Sequence, residues 1–192
     1  MNTATMTLAA SLLLAGSAFA QYAATPQLAA PGACSPAQFA TIDEAFADAG
    51  TAVTRAVAQL AGNPELPELR IWFGTTPAKF VRRNLVTVGD RIAQGRPGQT
   101  ACNDARHCRD GIFAYAMPST GAMGFCAAFF RTGQNGQDSR LGIVVHEVSH
   151  IAIRTRDARY QPQGARELGK TEPATAAMNA DSYEYFVESL AR

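Results

Sequence analysis

Apolar residues recur at intervals of three and four over most of the chain, and that spacing predicts a mainly helical protein. Phe39, Ile42, Phe46, Val53, Val57 and Leu60 share one face, which predicts a helix from Ser35 to Leu60, interrupted near Gly50 and stopped by the Gly62-Asn63-Pro64 turn. Thr76 and Pro77 open a second helix that runs to Ile92. From Leu141 to Ile153 the apolar positions are nearly continuous, so a third helix is expected to be buried, with Asp138 or Ser139 capping its start. Thr171 and Pro173 begin a last helix that reaches about Leu190 and offers Met178, Tyr185, Phe186 and Leu190 for packing.

Shorter apolar runs predict a small sheet. Leu69 to Phe73 reads as a short strand, and Gly111 to Ala116 and Met123 to Phe130 read as two more, joined through Pro118-Ser119-Thr120-Gly121 as a hairpin. Polar residues with Pro162, Gly164 and Gly169 make Thr155 to Lys170 a loop. Gln21 to Pro31, rich in Ala, Pro and Gln, reads as a linker. The expectation is an α+β fold in one domain over residues 34–192, preceded by a linker at 21–33.

Composition narrows the partners. The chain has 192 residues, 47% hydrophobic and 17% charged, with a formal charge of +1. It carries no basic run and no interleaving of basic and aromatic residues, so neither nucleic acid nor an anionic membrane is expected as a partner. Residues 1–20 hold no charged side chain, contain Leu12-Leu13-Leu14 and end in Ala18-Phe19-Ala20, the pattern of a signal peptide cleaved before Gln21. No other segment approaches membrane-spanning length. A secreted or periplasmic location follows, and there the four cysteines, Cys34, Cys102, Cys108 and Cys126, are expected to form two disulfides of unspecified pairing.

The third helix carries the chemistry. His146-Glu147-Val148-Ser149-His150 puts two imidazoles four residues apart, on one face of a helix, with a carboxylate beside the first. Two such histidines can share a tetrahedral cation, and Glu147 can act on water held there. Placing these polar groups in an otherwise apolar stripe is costly unless something binds them. A catalytic zinc needs a third protein ligand, and no histidine follows His150. Unless His107 serves, the ligand is a carboxylate drawn from Asp157, Glu167, Glu172, Asp181 or Glu184.

Thr155-Arg156-Asp157-Ala158-Arg159-Tyr160, taken with the histidine motif, resembles the Thr-x-Asp-x-x-Tyr pattern of the aspzincins, the deuterolysin and peptidyl-lysine metalloendopeptidase group. Asn179-Ala180-Asp181 is similar to the Asn-Ala-Asp stretch of that family's final helix. The resemblance covers His146 to about Leu190. It departs from the family at Arg154 and Gln161, just before the Thr and just after the Tyr, where glycine is usual.

The resemblance implies a zincin-like metalloprotease domain with an HExxH active-site helix and one Zn²⁺ held by His146, His150 and Asp157. It implies Glu147 as general base and Tyr160 as a donor to the developing oxyanion. Cys34 would pair with Cys102, and Cys108 with Cys126. Asp181 and Glu184, three apart on the final helix, share a face and can attract a cation. In lysine-specific members the same positions imply a pocket for the residue after the scissile bond, and so cleavage of protein or peptide substrates on the amino side of lysine. Two lysines, Lys79 and Lys170, against 15 arginines would limit self-cleavage by such an enzyme. Two rivals stand beside it: a gluzincin-like protease using Glu172 or Glu184 as third ligand, and a non-catalytic secreted module that binds zinc or basic peptides.

Overall fold

The computed structural model describes Met1 and residues 32–191; the rest of the leader and nearly all of the linker fall outside the described residues. Eight helices and three strands follow in order within that range. The helix α1 (Pro36–Gly62) begins at Ser35, whose hydroxyl accepts from the Gln38 amide while the Gln38 side chain accepts from the Ser35 amide. It runs through Gly50 without a break. That glycine lies against Ile92, where α1 meets α3 (Ala78–Ile92), and the packing of the two helices offsets its poor helix propensity.

The segment read as a first strand is the helix α2 (Pro67–Phe73). Its buried residues are Leu69, Trp72 and Phe73, which is helical spacing, while Ile71, which an alternating strand would bury beside Leu69, is exposed. Three strands make the sheet: β1 (Thr100–Cys102), β2 (Ala114–Met117) and β3 (Ala122–Phe125). They lie in the order β1-β3-β2, with β1 parallel and β2 antiparallel to β3. The hairpin through residues 118–121 is present, but β2 starts later than the sequence suggests. The strand expected to reach Phe130 stops at Phe125 and turns into α4 (Ala127–Arg131). Both disulfides implied by the resemblance are formed, Cys34 to Cys102 and Cys108 to Cys126.

The central helix α5 (Arg140–Ile153) packs on α1, α3, β2 and α8 (Ala180–Leu190). Ser139 is its cap, accepting from the Gly142 amide at 3.2 Å. The stretch read as a loop to Lys170 is largely the helix α6 (Gln161–Thr171), whose Pro162, Ala165, Leu168 and Gly169 are buried one turn after another. Gly169 explains why a helix there carries a glycine: a Cβ on it would lie 2.6 Å from the Ile71 carbonyl oxygen, so α6 and α2 touch backbone to backbone. The expected last helix is two pieces, a single turn α7 (Pro173–Ala176) and then α8, with Asn179 at the junction. One buried hydrophobic cluster runs from Ile42 to Leu190 and includes residues from every layer. No helix among the described residues is long and apolar enough to cross a membrane.

Candidate active site

The last turns of α5, the segment 154–161 and the start of α8 meet at one point. Asp157 Oδ1 lies 3.1 Å from His146 Nε2 and 3.2 Å from His150 Nε2. Ligand atoms around a tetrahedral zinc with bonds of about 2.0–2.2 Å sit roughly 3.3–3.6 Å apart, so this donor set, a few tenths of an ångström closer, fits that ion with a small outward shift. The outer nitrogens support the fit. His150 Nδ1 donates to the Thr155 carbonyl at 2.9 Å, and His146 Nδ1 lies 2.9 Å from Asp181 Oδ1 and 3.0 Å from Glu184 Oε2. With acceptors at both Nδ1 positions, each imidazole keeps a proton there and points Nε2 at Asp157, where it donates to the carboxylate when protonated and would offer its lone pair to a cation when neutral.

Local backbone geometry sets the carboxylate. At the end of α5, Arg154 takes a left-handed conformation, φ 58°, and Gln161 takes another, φ 66°. These are the two positions at which this chain departs from the glycine of the resembling family, and both require the backbone that glycine adopts without penalty. Between them, Thr155 is buried and bonds Ser149 through its hydroxyl at 2.6 Å. Asn179 Oδ1 accepts from the amides of Ala158 and Arg159, at 2.9 and 3.1 Å. Asp181 Oδ2 accepts from the Gln161 amide at 2.5 Å.

The charges respond to this crowding. Partial burial alone would raise the Asp157 carboxyl, but the hydrogen bonds and charges of the two imidazoles outweigh it and hold the carboxyl far below the usual range. Glu147 is buried on α5, and burial raises its carboxyl despite the two histidines. Burial also pushes Glu184 up to about 7, against the pull of His146. Tyr160 lies beside Asp157, 63% exposed, with its phenol raised by partial burial and by Asp157.

The remaining sequence candidates separate cleanly. His107 is on the surface, bonded to Asp104 at 2.8 Å, and Glu172 is exposed and bonded to Thr175. Glu167 is exposed on α6. None joins the cluster. Asp181 and Glu184 share a face of α8 as expected, but both are buried, 4% exposed, against the far side of His146. A third acid on that face was not anticipated. Glu188 accepts from both the amide and the hydroxyl of Ser139, at 2.8 and 2.7 Å, and burial raises it to about 8. Thr155 and Asn179 lie within the quoted motifs, but sequence assigned them no task.

Residues 59–188 match the family model described as lysine-specific metallo-endopeptidase, the aspzincins. The chain belongs to the aspzincin family. It is 42% identical over 81 residues to the peptidyl-Lys metalloendopeptidase of Armillaria mellea, 41% of this chain and 23% of that protein. It is 33% identical over 132 residues to an extracellular protease of Aeromonas hydrophila, 66% of this chain and 37% of that protein. The chain thus spans well under half the length of these two relatives. The solved zinc peptidase of Grifola frondosa superimposes with a TM-score of 0.72 at 28% identity, covering 81% of this chain and 97% of that one. The helix-rich architecture with its small sheet is therefore a zinc-peptidase fold.

Proposed function

We propose that the chain is a secreted zinc endopeptidase that hydrolyses peptide bonds on the amino side of lysine. The observation that carries this reading is the convergence of His146 Nε2, His150 Nε2 and Asp157 Oδ1, with both Nδ1 atoms already bonded on their outer sides. Zinc, when bound there, lowers the pKa of a water molecule towards about 7 and polarises a carbonyl.

The protein's own groups do the rest. Glu147, on the helix turn that begins with His146, takes a proton from the attacking water and returns it to the leaving amine. Its raised carboxyl suits both steps, because a base whose pKa is closer to neutrality also gives the proton back readily. Tyr160, exposed beside Asp157, donates its phenolic hydrogen to the carbonyl oxygen as negative charge develops there.

Lysine preference rests on Asp181 and Glu184. His146 has a single Nδ1 proton to share between them, and Asp181 takes one further amide, so acceptor oxygens are left over. An ammonium with three N–H donors fits that surplus better than a planar guanidinium, which needs room for a fork. The name of the Armillaria relative supports the same preference. Residues 34–192 form the peptidase domain in this reading, with a leader at 1–20 removed before Gln21; the name of the Aeromonas relative supports export.

The test is a mixed peptide library digested by the purified protein, with and without a zinc chelator, and mapped by mass spectrometry. Chelator-sensitive cuts before lysine are expected. Equal rates before lysine and arginine would remove the specificity, and intact peptides from zinc-loaded protein would turn the reading to a non-catalytic module.

A further inference from the structure

Asn179 occupies the N-cap position of α8, where an asparagine side chain ordinarily accepts from an amide in the first turn of its own helix. Here it makes no such bond. Its Oδ1 instead reaches across to the amides of Ala158 and Arg159, while its Nδ2 donates to Ser182 Oγ at 3.3 Å. The side chain is fully buried. Those two amides lie between Asp157, a candidate metal ligand, and Tyr160, a candidate oxyanion donor. The backbone on either side is fixed separately: Arg156 pairs with Met178 and Ala180 at 2.8 and 3.0 Å, and the Gln161 amide bonds Asp181. Between them, among the described hydrogen bonds, Asn179 is the only side chain from outside the segment that bonds its backbone amides.

We infer that Asn179 is a positioning residue for the metal centre: by binding the Ala158 and Arg159 amides it fixes the direction of Asp157 and Tyr160 towards His146 and His150. Its oxygen is withdrawn from capping α8 and used on the neighbouring segment. That segment needs the help because it is entered and left through the left-handed residues Arg154 and Gln161, neither of which favours the conformation on its own. The inference rests on the reading of Asp157 as a zinc ligand.

Two substitutions separate positioning from helix capping. Asn179→Ser supplies a good cap for α8 but is too short to reach residues 158 and 159, whereas Asn179→Asp keeps an acceptor oxygen at the right length, with Ser182 able to donate to its other oxygen. Zinc dissociation constants would be measured by competition with a chromogenic chelator, with near-ultraviolet circular dichroism to check the fold. The expected result is a ten- to hundredfold weaker constant for Asn179→Ser and one within about threefold of the parent for Asn179→Asp, as for supports of metal ligands generally.

Asn179→Ser binding zinc as tightly as the parent overturns the inference, and so does Asn179→Asp binding as weakly as Asn179→Ser. An Asp157→Ala control keeps the two claims apart. If that variant binds zinc like the parent, the reading of the centre fails; if it loses zinc while Asn179→Ser does not, only the role of Asn179 fails. Should Asn179→Ser not fold, hydrogen exchange at Ala158 and Arg159 in the parent decides. Protected amides support the clamp, and amides that exchange as freely as exposed ones overturn it.

Discussion

The α1–α3 contact and the α5–α8 contact are both central helix pairs, built from opposite kinds of residue. The first buries Ala45, Ala49, Val53 and Ala56 on one helix and Val81, Leu85, Val88 and Ile92 on the other, with Gly50 against Ile92 and Gly89 against Val53. The second buries Ser139, Glu147, Ser149 and His150 on one helix and Asp181, Ser182, Glu184 and Glu188 on the other. Apolar burial of the first kind is favourable in itself, at roughly 25 cal/mol per Å². Carboxylates and imidazoles taken out of water are not, unless every one of them is bonded. The comparison teaches a division of labour, in which the apolar pair supplies stability and the polar pair spends some of it to hold reactive groups in fixed directions.

Four tests probe that division. Glu147→Gln in the polar pair should lower kcat/KM by about 10²–10⁴ through loss of the base, with zinc content and the thermal transition unchanged, as read by peptide hydrolysis and metal analysis. Leu85→Ala in the apolar pair should do the reverse. Leu85 is fully buried, so the cavity should cost about 2–5 kcal/mol in urea unfolding, while activity below the transition stays near that of the parent. A large loss of kcat in the folded Leu85→Ala protein would break the contrast.

The third test is pH. Glu188 has a folded pKa near 8 against a usual value of 4.5, so between these values the folded state holds a proton that the unfolded chain has released. Its contribution is complete below about 4.5 and is lost as pH rises towards 8, so the melting temperature should fall over that window. Glu188→Gln, which cannot ionise yet still accepts from Ser139, should flatten the fall; an unchanged slope would show that Glu188 is not its source. The smallest effect is expected at the ends of the strained segment. Arg154→Gly or Gln161→Gly relieves a left-handed residue but loosens the unfolded chain, leaving a net gain of less than about 1 kcal/mol.

The same contrast explains what the sequence made legible. The helices α1, α3 and α5 announce themselves because their burial repeats within the segment, and the histidine pair is legible because four-residue spacing on a helix is local geometry. Asp157 was one acid among several until the motif around it singled it out. The helices α2 and α6 were misread because their identity lies in their partners: Trp72 and Phe73 pack against Tyr185 and Tyr183 of α8, and Gly169 exists for a contact with α2. The strand β1 forms three residues of parallel ladder with β3, a pairing no local signal carries. Thr155, Asn179 and Glu188 act through backbone amides and carbonyls, or through a serine far away in sequence, and such bonds leave no spacing to read.

The backbone contact between α6 and α2 has a further consequence for the proposed cleavage before lysine. Under that specificity the chain's own susceptible bonds would be Ala78–Lys79, in the first turn of α3, and Gly169–Lys170, which includes the glycine wedged on Ile71. A protease takes hold of chain that has opened locally, and neither bond is presented that way in the folded molecule. Loss of activity on storage should therefore be governed by how often a single molecule unfolds, and its early rate constant should hardly change when the stock is diluted, rather than rise with the frequency of encounters between copies.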